Sequence, residues 1–537
     1  MSTVTEPESD IGRRLLGDYE LPLPRIWKRR PQALRTAIFL ILLTALSAYV
    51  RTRFLTSGFW MDEAISVGIA SHPLSQIPHV LRFDGSPPLY YLLLHVWMGW
   101  FGDSEAATHC LSLVFGLATI PISFWGVMTL WHNRRMANVV AFLFAFNAFL
   151  TGYSQETRMY ALMGLLGLLA TIGYLAGFVQ RRRRFLPLFT VAQALMLYTH
   201  AWGVFFGAAG VIGLIILYRI GGEEVRKNLI SDGLKAYIAA GILFVPWIPN
   251  FIFQSLHTAA PWDSAPRFGA PLQLSRGLMG GISITAVLLL CCGLGLYDLF
   301  QRRNRKTPDA RMLWLVIALP FFTLLLAWLG SQLTPAWSVR YFSPVLGAVL
   351  FLFALGIARA GLAGAITVVL VLAMFHNPAG FAPQYKSDMK DVAGELGGSL
   401  HQGDLVIVGQ PEQTPLAHYY LPSGLRFTNT IGPVSDPTYF NWVDALKKYK
   451  AADPQKILPP LLNSLKTGQQ ILFIRPMTEG AQNWKASWTE LIRLRSAQWG
   501  AIIAADKHLV REPGRWAPHN YFGACCVADS AVLYKKV

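Results

Sequence analysis

The feature that most constrains the fold is a series of about eleven apolar runs between residues 35 and 376. An α-helix needs about 20 apolar residues to cross a bilayer, and several of these runs are shorter, which predicts tilted or partly hydrated helices. Of all residues, 53% are hydrophobic and only 14% are charged, whereas soluble domains carry about a quarter charged residues. The sequence therefore predicts a mainly α polytopic membrane protein with about eleven transmembrane helices. The runs lie near 35–50, 110–130, 137–151, 160–179, 186–199, 202–218, 237–253, 280–299, 312–332, 341–358 and 362–376.

The net charge of +17 does not indicate a nucleic-acid partner, because the basic residues cluster in short loops between apolar runs. If the N-terminus is inside, these clusters, such as Arg134–Arg135 and Arg181–Arg184, fall on the inner side, as the positive-inside rule describes. Residues 1–32 lack the short apolar core and cleavage site of a signal peptide. We expect a multi-pass protein of the cell inner (cytoplasmic) membrane with a cytoplasmic tail at 1–34.

A change of composition near residue 378 predicts two domains. Residues 35–379 form the membrane domain, which contains a long first outer loop at 51–109, and residues 380–537 have the polarity of a soluble domain. The same charge pattern places this second domain outside the membrane, so we expect an extracytoplasmic α/β domain. Its expected elements are strands at 404–408, 470–474 and 501–503 and a helix over 482–498.

Two adjacent carboxylates, Asp62 and Glu63, follow the first apolar run. Carboxylates beside a bilayer lose solvation, so they usually serve proton transfer, metal binding or recognition of a charged group. One carboxylate can accept a proton from a hydroxyl while its neighbour orients it or holds a divalent cation. The alternative is an acidic pair that stabilises a helix N-terminus by a few tenths of a kcal/mol. The residues alone leave both interpretations open. Asp84, before Gly85-Ser86-Pro87-Pro88, is likewise either a capping acid at a turn or a second acid at the same surface.

Further polar and aromatic residues lie at the outer ends of apolar runs. A lone arginine at such a place usually extends into the headgroups. A set of arginines is different, because the planar guanidinium recognises phosphate through two parallel hydrogen bonds. Arg, Tyr and His side chains around acids suit an anionic lipid phosphate beside a hydroxyl that awaits activation. The residues are Glu156, Arg158, Tyr160, His200, Arg340 and Tyr341.

In their order and placement these motifs resemble those of the GT-C superfamily of integral-membrane glycosyltransferases. The more similar members are bacterial enzymes related to protein O-mannosyltransferases and to lipid A aminoarabinose transferases. The resemblance covers about residues 35–345. Two positions depart from it: Gly85-Ser86 stands where aminoarabinose transferases carry a basic residue, and His109 stands where relatives often have an arginine.

The resemblance implies a polyprenyl-phosphate-linked sugar as donor and a hydroxyl of a glycan, lipid or protein as acceptor, at the outer face of the membrane. Asp62 would be the general base, with Glu63 in support and Asp84 as the second acid. A divalent cation (Mg²⁺, Mn²⁺ or Ca²⁺) is found in many members but not in all, and here its ligands would be Asp62 and Glu63. The residues implied to bind the donor are Glu156, Arg158, Tyr160, His200, Arg340 and Tyr341.

Direct displacement of the phosphate predicts inversion at the anomeric carbon, whereas a close pair of carboxylates suits a retaining double displacement. By analogy with the superfamily we expect inversion. Two other classes of function remain alternatives: a transporter or flippase for a lipid-linked sugar, and a membrane-anchored assembly protein whose outer domain is the working part. A flippase needs access from both sides, and all the candidate charges lie on one side.

Overall fold

The structure, a computed structural model, describes residues 31–258, 260–301, 308–375, 386–477, 486–516 and 529–537. The expected cytoplasmic tail lies outside the described residues up to residue 30, and so does the expected domain boundary at 379–380.

Within the described residues, the regular structure of the membrane domain consists of helices alone, without any strand. In the same described ranges each of the eleven apolar runs is mostly helical, because a helix satisfies its backbone hydrogen bonds internally where water is absent. The α-helices up to residue 375 are Gln32–Arg51, Met61–Ala70, Ile77–Asp84, Leu89–Phe101, Glu105–Trp131, Arg134–Ala145, Ala148–Tyr153, Tyr160–Tyr174, Leu186–Thr199, Gly203–Ile220, Glu223–Arg226, Leu229–Phe244, Ile248–His257, Ala270–Met279, Ile282–Gln301, Pro308–Leu333, Leu346–Arg359 and Gly361–Phe375.

The expected count of eleven spans is not confirmed. Among the described residues, seven helical segments are long and apolar enough to cross a membrane, or eight if Ala270–Met279 and Ile282–Leu294, which meet at 93°, form one broken span. Three of the eleven runs form helices of 12 to 15 residues, namely Arg134–Ala145, Leu186–Thr199 and Gly361–Phe375. At 1.5 Å per residue these are too short to cross about 30 Å of hydrocarbon alone.

The first outer loop folds into short helices. Met61–Ala70 and Ile77–Asp84 are separated at Pro73, and the third helix, Leu89–Phe101, is apolar. The turn between the second and third helices needs Gly85, whose φ of 98° is in the left-handed region that glycine adopts without strain. This loop carries Asp62 at the start of its first helix and Asp84 at the end of its second.

The C-terminal domain is a six-stranded mixed sheet with helices on both faces. The strand order is β3-β2-β1-β4-β6-β5, with β1 parallel to both β2 and β4 and the other pairs antiparallel. The strands are β1 (Leu405–Val408), β2 (Arg426–Asn429), β3 (Gly432–Pro433), β4 (Gln470–Pro476), β5 (Leu509–Trp516) and β6 (Asp529–Lys536). The α-helices of this domain are Met389–Leu396, Thr414–Tyr420, Ala445–Ala451, Pro454–Asn463 and Ser487–Ala505.

The expected strand at 501–503 is wrong. These residues continue the helix Ser487–Ala505, in which Trp488, Ile492, Trp499 and Ile503 are buried at helical spacing. A short apolar run has the same appearance in a buried strand and at the end of a helix, and only the longer period distinguishes the two. The expected strands at 404–408 and 470–474 match β1 and β4.

The first outer helix, Met61–Ala70, belongs to the cores of both domains. Ile65 and Ile69 pack in the membrane-domain core, whereas Ala64 and Val67 pack in the core on one face of the sheet. Gly68 allows the Thr438 carbonyl of the C-terminal domain to approach so closely that a Cβ at residue 68 would stand 1.8 Å from its oxygen. The helix that carries Asp62 is therefore held between the two domains.

Candidate active site

The first outer helix is capped at its N-terminus by the side chain of Glu63. Glu63 Oε2 accepts a hydrogen bond from the Trp60 backbone N–H at 3.2 Å, which satisfies a donor that the helix leaves open. Successive residues of an α-helix point about 100° apart. Asp62 and Glu63 therefore face different surroundings although they are adjacent in the chain.

Asp62 faces two arginines from distant parts of the membrane domain. Its Oδ2 lies 3.2 Å from Arg340 Nη1 and 3.7 Å from Arg158 Nη2. The Asp62 side chain is 17% exposed, so the pairs are partly shielded from water. No other described residue is hydrogen-bonded to Asp62 Oδ1, which leaves that oxygen available to a substrate. The two guanidiniums place positive charge on one side of the Asp62 carboxylate.

The two arginines have more donors than the protein uses. Arg158 Nη1 donates to Ser66 Oγ at 3.0 Å and to the Asp62 carbonyl at 3.2 Å, but its Nε has no hydrogen-bond partner among the described residues. Arg340 Nε is likewise buried and has no hydrogen-bond partner among the described residues. The Arg340 guanidinium also lies over the rings of Trp60 and Tyr160, at 5.2 and 5.6 Å from their centroids. Two orphaned N–H groups on neighbouring guanidiniums suit a bound anion.

Asp62 and the arginines line a cavity of about 550 Å³ at the junction of the two domains. Seven of the nine residues proposed from the sequence line it, although they come from five separate stretches of chain. They are Asp62, Asp84, Arg158, Tyr160, His200, Arg340 and Tyr341. A volume of this size suits a small polar group with part of a lipid chain.

His200 is held as a neutral imidazole in this cavity. Burial, followed by the nearby charges of Arg158 and Arg340, lowers the pKa of His200 to about 3. Its Nδ1 accepts a hydrogen bond from the Trp202 backbone N–H at 3.2 Å, which leaves Nε2–H as the donor. The ring lies 4.9 Å from that of Tyr341. His200 therefore offers the cavity one more neutral N–H.

Asp84 is the second acid of the cavity. Burial raises its pKa to about 6, and the charge of Asp62 adds to the effect, while hydrogen bonds from Ser86 and the charge of Arg158 act in the opposite direction. Asp84 therefore titrates near pH 6.

The raised pKa of Asp84 predicts a pH-dependent stability. Between about pH 4 and pH 6 the folded protein binds a proton at Asp84 that the unfolded chain has released, so stability falls as pH rises through this window, by about 2 kcal/mol. We expect the unfolding temperature of the wild type, relative to that of Asp84→Asn, to fall between pH 4 and pH 6 in the lipid-free protein. Asp103→Asn, at an exposed acid of the same loop, is the control. Parallel profiles for wild type and Asp84→Asn would contradict the shift.

Glu63 does not line the cavity. Its carboxylate is fully buried and accepts hydrogen bonds from His109 Nε2 at 2.7 Å, the Thr157 backbone N–H at 2.8 Å and Lys386 Nζ at 3.0 Å. Burial raises its pKa, but the charges of Lys386 and His109 outweigh burial and lower the pKa to about 2. Glu63 is thus a fixed negative charge that ties the first outer loop to the start of the C-terminal domain.

The Glu63–Lys386 pair predicts a large contribution to stability. Removing one partner of a buried ion pair leaves an uncompensated charge and typically costs about 3–5 kcal/mol. We expect Lys386→Met to lower the free energy of unfolding by about 3 kcal/mol, the low end of this range, because His109 still pairs with Glu63. The double variant Glu63→Gln/Lys386→Met should recover part of this loss. The measurement is urea or thermal unfolding in detergent. Lys390→Met is the matched control, because Lys390 pairs with Glu105 at 2.8 Å while 51% exposed and such pairs contribute at most about 1 kcal/mol. Equal losses in the two single variants would contradict this role.

Glu156 lies beside the cavity but does not line it. Burial, together with the charges of Glu63 and Asp62, raises its pKa to about 7, while Lys386 and Arg340 act in the opposite direction. Its Oε2 is buried without a hydrogen-bond partner in the described part of the chain. The structure therefore places Glu156 outside the cavity lining, within electrostatic range of both Asp62 and Glu63.

The residues proposed as metal ligands do not fit a divalent cation. Glu63 uses both oxygens on protein donors, and Asp62 Oδ2 faces two guanidiniums. Hard cations need several oxygen ligands that converge. Nowhere in the described ranges do three or more His, Cys, Asp or Glu side chains come close enough to hold a metal ion.

The residues that the C-terminal domain contributes to the cavity were not predicted from the sequence. Glu412, Trp442 and Trp488 line the cavity, and Trp442 is held in place by a hydrogen bond from its backbone N–H to the Phe83 carbonyl at 2.9 Å. Lys386 was missed as well. No local motif marks these residues, because their position depends on how the two domains dock.

No family model matches the chain. Over 321 residues it is 25% identical to undecaprenyl phosphate-alpha-4-amino-4-deoxy-L-arabinose arabinosyl transferase 1 of Pseudomonas fluorescens. The alignment covers 55% of this chain and 56% of the relative, so the match spans about half the length of that curated protein.

Among solved structures, the crystal structure of ArnT from Cupriavidus metallidurans in the apo state matches with a TM-score of 0.60 and 12% identity, over 93% of this chain and 98% of that chain. The same protein bound to undecaprenyl phosphate matches with a TM-score of 0.57 and 11% identity over the same shares. The arabinofuranosyltransferase AftD from mycobacteria matches with a TM-score of 0.51 and 15% identity, over 96% of this chain and 42% of that chain. The predicted resemblance is thus confirmed: the chain is similar in sequence to an undecaprenyl phosphate-aminoarabinose arabinosyl transferase and has the fold of ArnT.

Proposed function

We propose that the protein transfers a sugar from a polyprenyl-phosphate donor to an acceptor hydroxyl. The observation that carries the proposal is the convergence of Asp62, Arg158 and Arg340 in one cavity at the domain junction. The relatives support the donor class, because one is named as an undecaprenyl phosphate-aminoarabinose arabinosyl transferase and one solved structure contains undecaprenyl phosphate.

The arginines are the proposed phosphate site. Each presents a buried Nε–H without a partner among the described residues, and His200 adds a neutral N–H beside them. In a partly dry cavity such preorganised donors stabilise the negative charge that develops on the leaving phosphate. Tyr160 and Tyr341 complete the wall around them.

Asp62 is the proposed general base. The acceptor oxygen attacks the anomeric carbon, the bond from that carbon to the phosphate oxygen breaks with its electron pair leaving on the phosphate, and Asp62 Oδ1 takes the hydroxyl proton. Because Glu63 faces away from the cavity, it supports this reaction only by fixing the helix. With Asp62 as the carboxylate beside the two arginines, a single displacement with inversion is the outcome we propose. The proposed mechanism uses no cation at Asp62 and Glu63, because the donor set there does not suit one.

We also propose that the cavity opens at the outer face of the cytoplasmic membrane. The distribution of basic residues supports this, since the inner loops carry the Arg134–Arg135 and Arg181–Arg184 clusters. The acceptor class stays open among lipid, glycan and protein.

The direct test is a transfer assay with the purified full chain in lipid nanodiscs. Undecaprenyl phosphate carrying radiolabelled arabinose, 4-amino-4-deoxyarabinose or mannose is mixed with an envelope extract, which is then separated into lipid, glycan and protein fractions. We expect one of the labelled sugars to move into one fraction while bare undecaprenyl phosphate is released.

In a parallel experiment the same labelled lipids are placed in one leaflet of vesicles that contain the protein. Movement of intact lipid between leaflets, without release of undecaprenyl phosphate in either experiment, would contradict the proposal and favour a flippase. Mass spectrometry of lipid that copurifies with the protein identifies which sugar to use first.

A further inference from the structure

The wall that the C-terminal domain adds to the cavity contains one acid, Glu412, next to two tryptophans, Trp442 and Trp488. Glu412 follows β1 on a single turn of 3-10 helix, Pro411–Gln413, so the sheet fixes its backbone. None of the motifs found in the sequence includes it.

Glu412 is buried, and only one of its two carboxylate oxygens accepts hydrogen bonds from the described residues. Its Oε1 accepts hydrogen bonds from Trp488 Nε1 and from Gln410 Nε2, both at 2.9 Å. Its Oε2 has no hydrogen-bond partner within the described residues, although the residue is only 3% exposed. A buried acceptor without a donor is unfavourable, and more so when it is charged. Such a group in a cavity wall indicates that a ligand supplies the missing donor.

The chemistry around Glu412 excludes the phosphate and favours a sugar. A carboxylate repels an anion but accepts hydrogen bonds from hydroxyl or amino groups. The neighbouring rings offer an apolar surface, since the centroids of Trp262 and Trp442 are 4.4 Å apart and those of Trp442 and Trp488 are 5.3 Å apart. A sugar ring presents both hydroxyl donors and an apolar face, and binding pockets combine these features in the same way.

The position of Glu412 relative to Asp62 favours the sugar of the donor. The two carboxylates are close enough that the charge of Asp62 adds to burial in raising the pKa of Glu412. Asp62 in turn lies beside the arginines of the phosphate site, at 3.2 and 3.7 Å. A sugar is joined to its phosphate through a single oxygen, so a phosphate at the arginines keeps the ring inside this same cavity.

We propose that Glu412, with Trp442 and Trp488, forms the subsite for the donor's sugar ring, in which Glu412 Oε2 accepts a hydrogen bond from a ring hydroxyl or amino group. This inference rests on the proposed function and assigns the choice of sugar to the C-terminal domain. Glu412 is then a specificity-determining residue, whereas affinity for the lipid phosphate belongs to the membrane domain.

The test compares two kinds of lipid without any acceptor present. Dissociation constants are measured for bare undecaprenyl phosphate and for undecaprenyl phosphate carrying arabinose, 4-amino-4-deoxyarabinose or mannose, with wild type and Glu412→Gln in nanodiscs. The substitution replaces a charged acceptor with a neutral amide, so the charge-assisted hydrogen bond is lost and we expect the variant to bind the preferred sugar lipid about 10- to 100-fold more weakly. Its affinity for the bare lipid should stay within about twofold, which also shows that the variant is folded. Glu395→Gln, at an exposed acid of the same domain, should change neither constant.

The possible results separate the two proposals. If Glu412→Gln weakens the bare and the sugar-carrying lipid equally, or weakens neither, the sugar subsite is overturned while the proposed function stands. The subsite is also overturned if the wild type binds every sugar lipid no more tightly than the bare lipid. If the wild type binds none of these lipids, the proposed function fails and this inference fails with it.

Discussion

Replacing Asp62 with Asn is expected to lower the turnover number for sugar transfer by about 10²- to 10⁴-fold, the range that removal of a general base usually covers. The amide has nearly the same shape, but it cannot accept the acceptor's proton. Binding of undecaprenyl phosphate should be unchanged or tighter, because Arg340 and Arg158 lose the anion that now lies 3.2 and 3.7 Å from them. The measurement is a pair: initial rates with saturating donor, and the dissociation constant for the bare lipid.

Asp103→Asn is the matched control for this prediction, since Asp103 is an exposed acid of the same outer loop and does not line the cavity. Its turnover number should equal that of the wild type. Because Asp62 pairs with two buried cations, an unfolding temperature is measured as well, and normal lipid binding shows that the site is intact. A turnover number within tenfold of wild type in Asp62→Asn would remove this residue from the role of base.

The part of the site that belongs to the membrane domain was accessible from the sequence. Arg158, His200 and Arg340 lie at the ends of apolar runs, and Asp62 and Asp84 lie in the predicted outer loop, on the side where the positive-inside rule disfavours basic residues. Charged groups that remain there in spite of desolvation share one layer of the membrane, which brings residues far apart in the chain within reach of each other. The structure places all five around one cavity.

Two acids show the limit of that argument. Glu63 and Glu156 stand in the same motifs, but the helical turn directs Glu63 toward Lys386 and His109. The direction of a side chain depends on the start of the helix, which here is the capping of Trp60, and on partners far away in the chain. The sequence shows that these acids lie at the outer boundary of the membrane, but it does not show toward which neighbours each side chain points.

The contribution of the C-terminal domain was out of reach for a different reason. Glu412 and Trp488 enter the cavity because the first outer helix, through Ala64 and Val67, is part of the core of the sheet domain. This docking depends on shape complementarity, such as the close contact between Gly68 and the Thr438 carbonyl, which leaves no local signal in the sequence. The span count is not confirmed for a simpler reason: helices of 12 to 15 residues have the composition of spans but are too short to cross the hydrocarbon alone.

Replacing Arg340 with Met is expected to weaken binding of undecaprenyl phosphate by about 30- to 1000-fold, equivalent to about 2–4 kcal/mol. Arg340 is 18% exposed, presents an orphaned Nε–H and is held over Trp60 and Tyr160, so its guanidinium is preorganised for an anion. Methionine keeps much of the apolar stem and removes all of the donors. The measurement is the dissociation constant of the bare lipid in nanodiscs.

Two further variants make the prediction specific to phosphate recognition by the planar guanidinium. Arg340→Lys keeps the charge but loses the fork of parallel donors, so its affinity should lie between those of wild type and Arg340→Met. Arg267→Met, at an exposed arginine outside the cavity, should bind the lipid as the wild type does. If Arg340→Lys binds as tightly as wild type, the site needs only a positive charge. If Arg340→Met also binds the lipid as tightly as wild type, the phosphate binds elsewhere. The proposed role of Asp62 as the base for the acceptor hydroxyl then loses its geometric basis, because that role assumes that the arginines hold the leaving phosphate.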